Sequence, residues 1–456
     1  MEEEKLLKEL HKSELRLGLY NDTIMGIPLW RLLRHYTRIH YLNKKTGFVG
    51  GSTSIRIGSP RPKLFSGFWK FVGKRNLNVF FPFGRLACID GEYLDRFIDP
   101  LISQSDFEGG NYFIVDPPNY VGNYKRLHKS NTVSNEGRTV FRQVLKYWYK
   151  ISTQIMYGKK IGRIFNKCKD DFLLDEKCLC LYKNTIAEFL ATYTYYLIWF
   201  RLLKPRRVFV VFRELYFPQI AVCKRLGIPV AEFQHGITMG DTVSFTGDYD
   251  PCIDPDYFLV FGEFWKGPQF GIPLNKIFCV GWAYKNLIAE KIGESVSMKV
   301  NRILVISSPE ITDAIIDTLA ELSKANEEYG FDIRLHPCES LSLEQEKKLK
   351  LVHNAQVVDN KIDSAMVLPS YKYVVGENSS VLYEALSVGC KVGMLKMCGL
   401  NPVIDRPGIK NNFFVIYNCE DFKKYIQQDN QHVKSETIFY SDYDNNTFME
   451  FISKSM

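Results

Sequence analysis

The chain has 456 residues, of which 46% are hydrophobic, 24% charged and 14% aromatic. That balance excludes a disordered or low-complexity polypeptide, and the length exceeds one ordinary core, so two domains are expected. The formal net charge of +8 points to an anionic partner without naming it.

Basic residues cluster at Lys70 to Arg75, Lys159 to Lys167 and Lys204 to Arg207. They read first as solvated helix faces and second as a surface for anionic lipid or an acidic glycan. Nucleic acid is set aside, because no recognition motif accompanies the charge. The eleven cysteines include no C-x-x-C pair. Several, such as Cys223, Cys279 and Cys390, lie in apolar runs, as buried thiols of a reducing compartment do. The charged segment Met1 to Lys12 lacks the apolar stretch of a signal peptide. The uncharged run Phe189 to Phe200 is too short to span a bilayer. The expectation is a cytoplasmic protein, at most peripheral at the inner face of the plasma membrane.

In chain order, Asn78 to Phe81 and Asn111 to Val115 read as strands, and residues 140 to 205 as a mostly helical insertion. A β/α series follows. Val208 to Phe212 is predicted as a strand, Phe217 to Leu226 as a helix stopped by Gly227, and Pro229 to Phe233, Tyr257 to Phe261 and Lys276 to Val280 as strands. A lysine- and glutamate-rich stretch between Trp282 and Asn301 separates this series from a second. The expected domains are therefore 1–290, on the acceptor side, and 291–456, on the nucleotide side. In the second series, Arg302 to Ile306, Phe331 to Leu335, Gln356 to Val358, Tyr371 to Val375, Lys391 to Lys396 and Phe413 to Tyr417 read as strands. Helices are expected around Ile315, Leu319 and Leu322, over Leu341 to Val352, and over Ser379 to Val388. Strands alternating with helices imply parallel sheets, and the fold class is α/β with two Rossmann-like doubly wound domains facing across a cleft.

Such sheets bind ligands beyond the carboxyl ends of their strands, so the residues after each strand are the informative ones. Gly376-Glu377-Asn378-Ser379-Ser380 follows a strand and opens a helix. Free N–H groups, the helix dipole and two hydroxyls there suit a phosphate, and Glu384 one turn on suits a ribose diol. N-capping by Asn378 or Ser379 is the structural alternative. Arg334-Leu335-His336-Pro337 ends another strand, where the histidine suits a diphosphate oxygen and a leaving nucleotide. Ser307 and Ser308 end a third. In the preceding domain, Phe233-Gln234-His235-Gly236 places a histidine after a strand, where a neutral imidazole could act as general base toward an acceptor hydroxyl. Arg213, Glu214 and, more weakly, Arg85 are further acceptor-side candidates. Asp248-Tyr249-Asp250, Asp254-Pro255-Asp256 and Asp442-Tyr443-Asp444 have a metal-binding D-x-D form but read as solvated loops, and no obligatory metal or cofactor is expected.

The set Gln234-His235-Gly236, His336-Pro337 and Ser379-Ser380 resembles bacterial GT-B-fold transferases over roughly residues 207 to 400. That group includes capsule and lipopolysaccharide transferases that use CMP-activated sialic acid or Kdo, and teichoic acid polymerases that use CDP-glycerol. Glu377 and Glu384 also resemble the spaced glutamate pair of retaining GT-B enzymes, with the gap one residue shorter. The resemblance implies a metal-independent glycosyltransferase of surface polysaccharide synthesis. Its donor would be a nucleotide sugar, CMP-linked by preference, and its acceptor an oligosaccharide or lipid-linked glycan. A CDP-polyol phosphotransferase, a nucleotide-sugar epimerase of the same fold and a non-catalytic assembly protein are the alternatives.

Overall fold

The structure is a computed structural model. It describes the chain except residues 1, 47–66, 85, 106, 108–109, 118–123, 134–135, 238–244, 246, 268–270, 293–298, 309–310, 337–338, 353, 378, 397–412, 429–435 and 455–456. Arg85, Pro337 and Asn378, three of the expected site residues, lie outside the described residues.

The chain opens with helix α1 (Glu2–Arg16), a small hairpin β1–β2 (Thr23–Ile24, Ile27–Pro28) and helix α2 (Leu29–Thr46). Strand β3 (Asn78–Phe81) is followed by a second hairpin β4–β5 (Ala87–Ile89, Glu92–Leu94), helix α3 (Asp99–Gln104), and strands β6 (Tyr112–Val115) and β7 (Thr132–Val133). A long helical pair, α4 (Glu136–Cys168) and α5 (Glu176–Leu203), fills the region expected to be helical. Then come β8 (Arg207–Val211), α6 (Phe217–Leu226), β9 (Val230–Phe233), β10 (Tyr257–Val260), β11 (Ile277–Cys279) and α7 (Ala283–Ile292). The second series is β12 (Lys299–Ile306), α8 (Thr312–Ala325), β13 (Gly330–Arg334), α9 (Leu343–Leu349), β14 (Ala355–Val357), α10 (Ser364–Val367), β15 (Tyr371–Gly376), α11 (Ser380–Ser387), β16 (Lys391–Leu395) and β17 (Phe414–Ile416). Helices α12 (Cys419–Gln427), α13 (Glu436–Phe439) and α14 (Asn445–Lys454) close the chain. Helix α9 is shorter than expected at both ends; its start is set by a reciprocal capping box between Ser342 and Gln345, and it stops at Leu349.

Two parallel sheets carry the fold. The first has the order β11-β10-β9-β8-β3-β6-β7 and the second β14-β13-β12-β15-β16-β17. Counted within its own series, the second order is 3-2-1-4-5-6, the doubly wound Rossmann arrangement, and the first is the same order with one further strand. The inner strands β3, β8, β9, β13 and β16 are buried on both faces, which is why they read as continuous apolar runs rather than alternating ones. In the first sheet Val79, Phe81, Val208 and Val210 face α2, α5 and α6. Phe80, Phe209 and Phe233 face the other way, onto Phe448 and Phe451 of α14. The last helix of the chain therefore lies on the first sheet, not the second.

The route back is tight. Trp265 donates its indole N–H to the Phe439 carbonyl at 2.6 Å, and Trp282 donates its backbone N–H to Ser441 at 2.9 Å. A Cβ on Gly281, which has φ +76°, would lie 2.1 Å from the Asp442 carbonyl oxygen, so only glycine allows this passage. One apolar cluster joins Phe258, Trp265 and Trp282 of the first series to Leu382, Tyr383 and Phe439 of the second. The strand-end side of the first sheet thus packs against α11.

Helix α2 buries three arginines on its core side. Arg38 forks onto Glu14 of α1 at 2.7 and 2.8 Å, and Arg31 pairs with Asp254. Asp254 also receives Arg213 at 3.2 Å. The expectation that Asp254 belongs to a solvated loop is corrected: it is buried between two guanidinium groups, and burying a charge requires such partners. The neighbouring carboxylates have structural work too. Asp256 accepts from the Val230 N–H, and Asp444 caps the start of α14.

Candidate functional site

In a 3-2-1-4-5-6 sheet the crossover connections diverge between strands 1 and 4, which here are β12 and β15, and leave a crevice beyond their carboxyl ends. Gly376 ends β15, and a Cβ there would sit 3.0 Å from the Ile306 carbonyl oxygen and 3.2 Å from Leu382. A glycine lets the two strands and α11 approach closely at the mouth of this crevice. Ser379 is the N-cap of α11, its hydroxyl accepting from the Val381 N–H at 3.3 Å, so the capping alternative is realised. Ser379 and Ser380 are half-buried and Glu377 is buried. Capping does not exclude anion binding, because the remaining N–H groups of the first turn still point out of the helix.

On the β12 side, Ser307 is buried. Its hydroxyl lies 3.0 Å from that of Thr312 and 3.4 Å from Glu339 Oε1. Glu339 also accepts from the Thr312 hydroxyl and from the His336 backbone N–H, the latter at 3.0 Å. One carboxylate therefore ties the end of β12 to the end of β13. Ser308 is half-buried beside it, its carbonyl accepting from Thr312 Oγ1 at 3.0 Å. His336 is exposed, in a tight turn in which its carbonyl accepts from the Glu339 N–H at 2.8 Å. Arg334, the last residue of β13, is buried and spends its guanidinium on the carbonyls of Asp359 and Ile362.

Glu384 is buried on α11 and already engaged. Arg96, from the turn after β5, donates to its Oε2 at 2.7 Å, and Ser364 donates at 3.3 Å. Arg96 also lies 3.6 Å from Asp363 and stacks over the Tyr284 ring at 4.9 Å and the Trp282 ring at 5.6 Å. Burial pushes the Glu384 carboxyl above the usual carboxylate range, with Arg96 opposing it. This cluster crosses between the two sheets.

The first sheet has its own divergence point, between β3 and β8. Phe83 follows β3, Phe212 follows β8, and His235 follows β9. The His235 ring stacks on Phe83 at 5.4 Å, lies 4.5 Å from Phe212 and 6.1 Å from Phe245. Its Nδ1 is shut off from solvent and has no hydrogen-bond partner among the described residues. Burial among these rings holds the imidazole down at about 4, from the ordinary 6.5; Glu214 opposes the shift and Arg213 reinforces it. Phe212 holds φ +69°, a left-handed value that a bulky residue adopts at a cost of about 1–3 kcal/mol. The fold maintains that strain where a ring meets the histidine.

The other acceptor-side residues have structural partners. Arg213 is buried, bonding Glu232 at 2.6 Å and lying over Phe245 at 5.1 Å. Glu214 pairs with His35. Burial pushes its carboxyl up, but the contact with His35 and the Arg34 and Arg31 guanidinium groups outweigh that and hold it low. Gln234 is fully buried, and both ends of its amide are taken by backbone: it donates to the Gly236 carbonyl at 2.8 Å and accepts from the Phe261 N–H at 3.0 Å. It shapes the loop that carries His235. A Cβ on Gly236 would meet nothing within 4 Å.

No protein-family model matches the chain, and neither does any curated protein. Among solved structures it is similar to the UDP-GlcNAc 2-epimerase of Neisseria meningitidis bound to UDP-GlcNAc, at 15% identity and TM-score 0.46, covering 83% of this chain and 98% of that one. The UDP-GlcNAc 2-epimerase of Methanocaldococcus jannaschii aligns at 12% identity and TM-score 0.47, over 83% and 99%. The wall teichoic acid polymerase TagF aligns at 11% identity and TM-score 0.43, over 99% and 96%. These are likenesses of outline, and the fold is read from the two strand orders themselves.

Sequence reasoning missed Arg96, Asp363, Ser364 and Glu339. Arg96 and Glu384 are 288 residues apart, and nothing local marks an arginine in a turn as the partner of a distant helix. Glu339, three residues beyond His336, was the more accessible signal, since an acid at that spacing is placed to close a turn. Among the described residues, no group of three or more His, Cys, Asp or Glu side chains is placed to hold a metal ion.

Proposed function

We propose that the protein is a glycosyltransferase that holds a nucleotide-activated sugar in the crevice between β12 and β15 and passes the sugar to an acceptor hydroxyl near His235. The observation that carries this reading is the pairing of two divergence points. One is lined by Gly376, Ser379 and Ser380 at a helix N-terminus, and the other presents His235 from a box of aromatic rings. The nucleotide phosphates would sit on the first turn of α11, with the His336 side chain as a donor to the leaving phosphate. Charge develops on that oxygen as the glycosidic bond breaks, so a donor there acts in the transition state. Glu384 would meet the ribose only at the edge of its contact with Arg96.

His235 is neutral at pH 7 and so is ready to take a proton from the attacking hydroxyl. Its low pKa makes it a weak base in the absence of donor. A bound phosphate would bring negative charge that favours the imidazolium. The preferred donor is a CMP-sugar, and the acceptor a glycan of a bacterial surface polysaccharide. A thermal-shift panel with CMP, CDP, UDP, GDP and ADP tests the nucleotide site, and a stabilising shift with one or more of them is expected. No shift with any would refute the reading and favour a non-catalytic role. Incubating the sugar nucleotide alone then separates transfer from epimerisation, since only an epimerase converts donor without acceptor. Product analysis separates a glycosidic bond from a phosphodiester.

A further inference from the structure

Helix α4 carries a face that the described residues leave uncovered. Its inner side packs on α5. Tyr149 bonds Thr194 at 2.7 Å, and Arg142 and Lys146 both reach Glu188, at 2.7 and 2.8 Å. At 100° per residue, Val144, Tyr147, Trp148, Ile151 and Ile155 fall on the opposite side, within about a third of the helix circumference. They are 66%, 73%, 69%, 54% and 78% exposed. A run of large apolar side chains at this exposure over about 17 Å of helix is not a normal water-facing surface.

The charge around the stripe indicates what covers it. From Gly137 to Lys169 there is no aspartate or glutamate, while nine residues are lysine or arginine. Lys150 and Lys159 flank the stripe, are exposed, and have no acidic partner among the described residues. A second copy of the chain docked through this face would set lysine against lysine. Tyrosine and tryptophan beside lysine are suited instead to the boundary between water and lipid, where the rings enter the headgroup layer and the ammonium groups remain at its anionic surface. No described helix is long and apolar enough to cross a membrane, so the mode of binding is to lie on the surface.

We propose that the outer face of α4 docks the protein on an anionic lipid bilayer, with Tyr147, Trp148, Ile151 and Ile155 entering the interface and Lys150 and Lys159 on its phosphates. The proposal goes beyond the nucleotide reading and does not depend on it.

Flotation of the full-length protein with vesicles tests it. Vesicles containing phosphatidylglycerol should carry the protein to the top of the gradient, more weakly as salt is raised, and vesicles of phosphatidylcholine alone should carry little. The pair Ile151→Glu with Ile155→Glu, and separately Lys150→Glu with Lys159→Glu, should each lower partitioning about tenfold or more. All four positions are exposed, so the unfolding transition and any nucleotide-induced thermal shift should stay as in the parent. Failure of lipid binding with the nucleotide shift intact would overturn this proposal alone. So would vesicle binding that neither double variant weakens. A change from dimer to monomer in the isoleucine variant without lipid binding would assign the face to a second copy, and RNA binding lost in the lysine variant without lipid binding would assign it to nucleic acid.

Discussion

Arg96 is the most informative single residue to remove. Its guanidinium sits 2.7 Å from Glu384 and 3.6 Å from Asp363, between the rings of Trp282 and Tyr284, with about a fifth of the side chain reaching solvent. Arg96→Ala leaves two neighbouring carboxylates, 5% and 11% exposed, without their cation. Breaking a buried pair by removing one partner costs about 3–5 kcal/mol, and the partial exposure of Arg96 brings the expectation to about 3 kcal/mol. Denaturant unfolding at pH 7 measures it. The same variant carries a pH signature. The Glu384 carboxyl is already raised by burial, and loss of Arg96 raises it further. A raised acid destabilises only while it is ionised, so the deficit should shrink as pH falls from 7 to 5. Combining Arg96→Ala with Glu384→Gln should recover part of the loss. A deficit below about 1 kcal/mol, or one that grows on acidification, would refute the claim that this cluster holds the two sheets together.

His235→Asn should lower transfer by about a hundredfold or more while leaving the nucleotide-induced thermal shift in place. Because the imidazole titrates at about 4 rather than 6.5, kcat/KM should hold level down to about pH 5, and an acid limb at 6.5 would contradict the effect assigned to the surrounding Phe83, Phe212 and Phe245 rings. The unfolded chain binds the extra proton between those two values, so this histidine makes stability fall as pH drops from about 6.5 to 4, a slope that His235→Asn should remove. His336→Ala should cost about a hundredfold in kcat with little change in stability, since the side chain is exposed; unchanged kinetics would end its assignment to the leaving phosphate. Gly281→Ala should cost about 2 kcal/mol or more in denaturant unfolding, because its Cβ meets the returning backbone at Asp442.

The two-sheet architecture was legible because parallel strands buried on both faces appear as short apolar runs such as Val208 to Val211, each closed by a turn residue or a helix start. The strand-end positions of His235, His336 and Ser379 followed from the same pattern. Strand order was not legible, since neighbours in a crossover sheet are set by helix packing far along the chain. Nor were the charge pairs. Arg31, Arg34 and Arg38 look like the polar side of α2, yet they are buried against carboxylates from α1 and the β10 approach. Gln234 shows the limit of motif reading: it adjoins His235, but its side chain closes a loop. The return of Phe448 and Phe451 to the first sheet carried no local signal, because two phenylalanines in an amphipathic helix suit any apolar surface.

That return has a mechanical consequence. The backbone passes between the two sheets twice, once from α7 to β12 and once from α12 to α13, and the second passage is pinned at Trp265, Gly281 and Trp282. A pair of bodies joined by one strand of chain can swivel and twist freely, whereas two attachments leave essentially one rotation, about the line through both. Any rotation of one sheet against the other would then behave like a door on two hinges. The Arg96–Glu384 contact, which crosses between the sheets, is one that such a rotation would strain.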